Sequence, residues 1–188
     1  MSAALVAAAK HRERTPFLFD VDGQQLTGRE VSPARWLLAT MRLEGQDVTI
    51  AAVADALRTL FDEPSFAAIL DRLMDVDDPF VLADAYALVR TACESVTGRP
   101  YLAAVALARW MVEAWSLLDG QCALAGVELL TLDVQRVLNV VEVIAVRAMT
   151  EAERAAFDKL NLWPAPAAVD GTPAGFRGEV SADEWMQA

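Results

Sequence analysis

The sequence predicts a mainly α-helical bundle with a short N-terminal β-hairpin and a flexible C-terminal tail. From Ser32 to Leu160, apolar residues recur at intervals of three and four, the spacing of one buried helix face. The breaks between these stripes carry helix punctuation: Ser32-Pro33, Asp62-Glu63-Pro64, Asp77-Asp78-Pro79 and Gly98-Arg99-Pro100. Beyond Asn161 the composition turns to LWPAPAAVDGTPAGFRGEVSADEWMQA, rich in proline, glycine and alanine. The chain therefore divides into a loosely ordered arm (1–15), a helical domain with its hairpin (16–160) and a tail (161–188).

Taken in order, the arm has little to bury, and its apolar start followed by basic residues reverses the order of a signal peptide. A soluble, cytoplasmic protein is expected. In Phe17 to Leu26, alternation around Asp22-Gly23 predicts a hairpin turning near Gly23. Ser32 and Pro33 suit the N-cap and first position of a helix carrying Trp36, Leu37 and Met41, which Gly45 ends. Asp47 or Thr49 caps a second, with Ile50, Val53, Ala54, Leu57, Leu60 and Phe61 on one stripe. Ser65 opens a third, with Phe66, Ile69, Leu70 and Leu73 inward.

The pair of helices between Pro79 and Gly120 forms the centre. Asp77-Asp78-Pro79 marks its start, and Val81, Ala85, Leu88, Val89, Ala92 and Val96 make the first stripe, widened by Leu82, Tyr86 and Cys93. Gly98 suits the left-handed position after a helix, and Pro100 restarts the chain. Arg99 is not required by the turn, so it is expected to cap the preceding carbonyls or pair with an acid. The second member, Leu102 to Leu118, is apolar nearly all round and closes at Asp119-Gly120, which predicts burial in a bundle or an oligomer. Residues 121–130 form a short helix or irregular connection around Gly126. Val134, Val137, Leu138, Val141, Ile144 and Ala145 then recur at helical spacing despite the β-branched run. Thr150 and Glu153 form a capping-box pattern for a last helix with Phe157 and Leu160, and Ser181 with Glu184 either caps one turn presenting Trp185 and Met186 or belongs to a disordered end.

Composition narrows the function. Sixteen basic against 27 acidic residues give a formal charge of −11, which repels nucleic acid and anionic membrane surfaces. No apolar run reaches the roughly 20 residues of a membrane span. Cys93 and Cys122 lie apart in apolar contexts and read as buried, reduced thiols, and the lone His11 sits in the charged leader KHRER. Carboxylate pairs such as Glu94 with Glu113, or Asp71 with Asp75, lack the histidines of di-metal helical sites and read as solvated faces. No catalytic, cofactor-binding or metal residue is predicted.

The string Leu18-Phe19-Asp20-Val21-Asp22-Gly23 resembles the first motif of haloacid dehalogenase-type phosphatases, in which the first aspartate attacks phosphorus, the second acts as acid and base, and magnesium offsets charge. Gln24, the helical pattern that follows, and the lack of any lysine between Lys10 and Lys159 depart from that family and favour an exposed hairpin turn.

Residues 78–176 resemble the tail assembly chaperones of tailed bacteriophages that infect actinobacteria. The likeness rests on Thr97-Gly98-Arg99-Pro100 with Tyr101, on Trp115 followed by Asp119-Gly120, on Ala125-Gly126-Val127 and the helix after it, and on Pro173-Ala174-Gly175-Phe176 in the tail. The resemblance implies a non-enzymatic protein of the host cytoplasm that keeps the tape measure protein soluble during tail assembly and helps tail tube subunits assemble around it. A helical adaptor retained in a finished assembly is the structural alternative, and a homo-oligomer is compatible with the apolar excess. Tyr101, Trp110, Trp115 and Leu118 on the second central helix, with Trp185 and Met186 in the tail, are the candidate partner-binding residues.

Overall fold

In the computed structural model, which describes Ala4, residues 17–44 and residues 49–161, Asp22 and Gly23 close an antiparallel hairpin. Both have positive φ, 54° and 80°, the twist that a two-residue hairpin turn needs. Strands β1 (Leu18–Val21) and β2 (Gln24–Thr27) pair with Phe19 opposite Leu26. The hairpin is too small to stand alone. It is anchored by Phe17 and Phe19, whose rings lie 6.1 and 5.8 Å from that of buried Phe61. The Thr27 N–H donates to Ser65 Oγ at 2.8 Å.

Helices α1 (Pro33–Leu43), α2 (Ile50–Leu60), α3 (Glu63–Met74), α4 (Leu82–Thr97), α5 (Tyr101–Glu113), α6 (Trp115–Ala125), α7 (Val134–Ala148) and α8 (Glu151–Leu160) follow, with one 3-10 turn at Leu129–Thr131. The mainly helical bundle with its N-terminal hairpin is thus as the sequence predicts. The arm and the tail, with the expected turn at Ser181 to Met186, lie outside the described residues.

Several boundaries and faces differ from expectation. Thr49, not Asp47, caps α2, with Oγ1 accepting from the Ala52 N–H at 3.1 Å. Asp62 caps α3 by accepting from the Ser65 N–H at 3.0 Å; Ser65 lies inside the helix and serves the hairpin instead. Asp77-Asp78-Pro79 does not start α4. Asp78 accepts from the Phe80 N–H at 2.7 Å, holding a turn that delays the helix to Leu82. Asp84 then satisfies the Val81 N–H at 2.9 Å. Ile50 and Val81, expected inward, are exposed because each stands at a helix start, ahead of the turn that packs. Asp133 caps α7, accepting from the Arg136 N–H at 3.0 Å, and the capping box of Thr150 with Glu153 forms as the pattern predicts.

Helix α5 occupies the centre and packs against α1, α4, α6, α7 and α8. Ala103, Ala104, Leu107 and Ala108 are fully buried there, small residues that let neighbouring helices approach. The chain enters α5 through the Thr97-Gly98-Arg99-Pro100 break. Gly98 is left-handed, with φ 65°, and its N–H reaches the Glu94 carbonyl at 2.7 Å. The Glu94 carboxylate bridges the break and accepts from the Tyr101 N–H at 2.9 Å. Arg99 pairs with an acid, as expected, but across the bundle, donating to Asn139 Oδ1 at 2.7 Å and Glu142 Oε2 at 2.6 Å on α7. A Cβ at Gly98 would stand 2.5 Å from Gln135 Nε2, the yielding end of a side chain, so backbone strain dominates. Gly98→Ala is therefore expected to cost about 1–2 kcal/mol, read as a fall of a few degrees in Tm.

Candidate interaction surface

Beyond Glu113 the chain does not run on as one helix to Asp119-Gly120. It turns by 89° at Ala114 into α6. Hydrogen bonding passes through the bend: Ala114 N–H donates to the Trp110 carbonyl at 2.8 Å, and its own carbonyl accepts from Leu118 N–H at 3.0 Å. Asp119-Gly120, expected to stop a helix, lies inside α6. Its true end is Gly126, left-handed at φ 67°.

The sequence of α6, WSLLDGQCALA, carries one charge, Asp119, yet only Leu118 and Cys122 are buried. These two, four apart, face the bundle. Leu117, Gly120, Gln121 and Leu124 fall at i, i+3, i+4 and i+7, which places them on a separate stripe. Leu124 is 85% exposed and Leu117 47%, and Trp115 at the bend is 39% exposed. Exposed apolar residues elsewhere, such as Leu38, Met74 and Leu130, sit on different elements. Single ones are ordinary; a stripe on a nearly uncharged helix is not.

Gly120 lies between the two leucines, and a Cβ there would meet nothing within 4 Å. It leaves a notch in the stripe, and no packing within the described structure requires glycine. Gly120→Ala is expected to raise stability by about 0.5–1 kcal/mol, seen as a higher urea midpoint, because alanine restricts the unfolded chain and favours the helix.

The six candidate partner-binding residues separate. Trp115 is exposed at the bend, and Trp110 is half-buried against the core. Tyr101 and Leu118 are buried, contrary to the expectation that they present to a partner. Tyr101 packs between helices and donates its hydroxyl to Glu44 Oε1 at 2.9 Å, with Arg109 reaching Oε2 at 3.3 Å and the Arg90 guanidinium 5.3 Å from its ring centroid. Burial raises its pKa. Leu118 is the side of α6 that faces inward. Trp185 and Met186 lie outside the described residues. Sequence reasoning missed Leu117, Gly120 and Leu124, because a helix ending at Gly120 gives them no common face.

The remaining chemical candidates are engaged in structure. Asp20 Oδ1 accepts from the Gly23 N–H at 2.8 Å inside the hairpin turn. Asp22 and Asp78 both grip Arg72, at 2.7 and 2.9 Å, while the guanidinium sits 4.7 Å from the Phe80 ring centroid. The Arg72 bonds, with that from Phe80 N–H, hold Asp78 below the usual carboxylate range. The aspartates of the phosphatase-like motif thus lie on a two-stranded antiparallel hairpin latched to α3, where that family needs a parallel sheet. Among the described residues, no group of three or more histidine, cysteine or acidic side chains is placed to hold a metal. Both cysteines are free and buried, and desolvation pushes the Cys93 thiol up to about 12. Among the described residues, no single helix is long and apolar enough to cross a membrane.

Comparison with protein-family models, with curated proteins and with solved structures gives no match.

Proposed function

We propose that this protein is a non-enzymatic binding protein that shields a helical client on the outer face of α6, acting in the host cytoplasm as a tail assembly chaperone for the tape measure protein. The observation that carries the binding reading is the exposed Leu117 and Leu124 stripe on a helix with a single charge. An amphipathic client helix presents apolar residues at the same i, i+3, i+4, i+7 spacing, so two such stripes bury one another. The charge of −11 keeps a complex dispersed while its apolar faces are joined. Identification of the client rests on the sequence resemblance alone, as does a secondary role toward tail tube subunits.

The test is co-expression with a phage tape measure protein, a long helical client, followed by measurement of client solubility and co-purification. The wild type is expected to increase the soluble client and to co-purify with it. Leu117→Asp with Leu124→Asp is expected to abolish both while leaving the circular dichroism spectrum and Tm close to wild type, since neither side chain is in the core. Absence of co-purification with wild type overturns the chaperone reading, and stoichiometric retention in purified particles favours the structural adaptor.

A further inference from the structure

The hairpin and α3 stand to one side of the helices that surround α5. Helix α3 packs chiefly on α2 and β2, and of its own residues only Ser65, Phe66 and Ile69 are buried. We propose that β1, β2 and α3 form one body that opens from the bundle while the other helices stay folded, hinged beside Phe61 and latched by Arg72.

Two ties make the hairpin and α3 a single body. At one end the Thr27 N–H donates to Ser65 Oγ at 2.8 Å, and at the other Asp22, at the hairpin tip, meets Arg72 Nη2 at 2.7 Å. A helix rises 1.5 Å per residue, so these ties lie roughly 10 Å apart along α3. A hairpin fixed at both points moves with the helix.

The chain crosses between this body and the bundle three times, and two of the crossings lie side by side. The Arg29 N–H donates to the Leu60 carbonyl at 2.9 Å and the Asp62 N–H to the Thr27 carbonyl at 3.1 Å, which joins 27–29 to 60–62. The rings of Phe17, Phe19 and Phe61 cluster at the same place. A pivot through these residues retains both bonds and the ring contacts, as a hinge requires.

The third crossing, residues 75–81, lies at the far end of α3 and has slack, since Val76 is 97% exposed. Here Arg72 holds the body closed. Its Nε and Nη2 donate to Asp78 at 2.9 and 3.0 Å, and its guanidinium lies 4.7 Å from the Phe80 ring centroid. Asp78 accepts from the Phe80 N–H, and Phe80 is buried, so the latch fastens to a residue anchored in the core.

Release of the latch leaves the backbone bonds within the hairpin and within α3 intact. Opening uncovers Ile69, with Leu70 and Leu73 already partly exposed. Phe66, which stacks under the Arg58 guanidinium in the first turn, is next to the hinge and moves least. Helix α5 is the contrast: it packs against α1, α4, α6, α7 and α8 and leaves none of them alone. Elements with few buried apolar groups open first.

The experiment measures the reaction of thiols with an aromatic disulfide reagent in the full chain, located by peptide mapping. Ile69→Cys places a thiol on the inner face of α3, and Leu26→Cys places one on the inner face of the hairpin; Cys93, buried on α4, reports on the bundle in the same molecules. Both introduced thiols are expected to react at least about tenfold faster than Cys93. Adding Asp78→Asn, which keeps an acceptor for the Phe80 N–H but removes the charge facing Arg72, is expected to speed both by the same factor of about five and leave Cys93 unchanged. Asp22→Asn frees the hairpin tip without touching the latch, and is expected to leave the Ile69→Cys rate as it was. If Ile69→Cys fails to fold, Leu73→Cys, one turn nearer the latch, carries the same comparison. A common rate for the introduced thiols and Cys93 overturns the proposal, because the body then opens only with the whole bundle. So does an Asp78→Asn effect that is absent or shared by Cys93, which removes the latch. Unequal responses of Leu26→Cys and Ile69→Cys to Asp78→Asn would make the hairpin and α3 separate bodies, and overturn it as well.

Discussion

Leu107→Ala is expected to lower the stability of the protein by about 3–4 kcal/mol, measured as a fall in urea midpoint at unchanged slope. Leu107 is fully buried on α5, the helix that packs against α1, α4, α6, α7 and α8, so the cavity it leaves has no free wall to collapse. Its surroundings include alanines at 103, 104 and 108, which have no longer rotamer to move into the space. Domains of this kind are stable by about 5–15 kcal/mol in total, so the variant forfeits a large part of that margin. Leu102→Ala on the same helix is the control. Leu102 is 51% exposed and its truncation is expected to cost no more than about 1 kcal/mol. Equal costs for the two would mean that α5 is rotated from the orientation described.

The bundle was legible in the sequence wherever local chemistry and burial agreed. The Thr150 and Glu153 capping box, the left-handed Gly98 and the turn at Asp22-Gly23 depend on residues within a few positions of one another, and each forms as the pattern predicts. Arg99 was legible as an arginine that caps the preceding carbonyls or pairs with a nearby acid; it pairs with an acid, but its partners Asn139 and Glu142 lie about forty positions away and belong to the packing of α7.

The site was harder to read, for a physical reason visible in the stripe itself. Ala104, Ala108, Met111, Trp115, Leu118 and Cys122 follow one another in steps of four and three with no slip of phase. A straight helix satisfies that pattern as well as a bent one. Ala114 keeps the helical bonds of its own N–H and carbonyl, and no proline marks the 89° turn. Only tertiary packing decides it, by burying Leu118 and Cys122 along a new axis and turning Leu117 and Leu124 outward. Asp119-Gly120, read as a stop because the pair is common in turns, is tolerated mid-helix. Asp-Gly propensity is a preference of about 1 kcal/mol, smaller than the burial of one leucine side chain.

The second large effect is expected at the joint that sets the direction of α5, and so of α6 at its far end. Arg99 is 12% exposed and Glu142 33%, so the pair is unevenly buried. Arg99→Met leaves a carboxylate near enough to the surface to rotate into water, which limits the cost to about 2 kcal/mol. Glu142→Leu does the reverse: it leaves a guanidinium mostly out of water, whose Nε already has no hydrogen-bond partner, with Asn139 as its remaining acceptor. That variant is expected to cost about 3 kcal/mol, the larger of the two. The double variant removes both charges from the site and is expected to recover at least 1 kcal/mol relative to the sum, read from a urea double-mutant cycle. A cycle without coupling would mean that the two groups do not meet in solution. If Arg99→Met proved the costlier single change, burial of the guanidinium would not be what makes this joint sensitive. Because Arg99 ties the α4–α5 break to α7 while α6 hangs from the other end of α5, the double variant also separates stability from function. On the proposed binding reading, its α6 stripe is expected to bind client as the unsubstituted protein does, because the hydrogen bonds at Gly98 and Tyr101 hold the break without the ion pair.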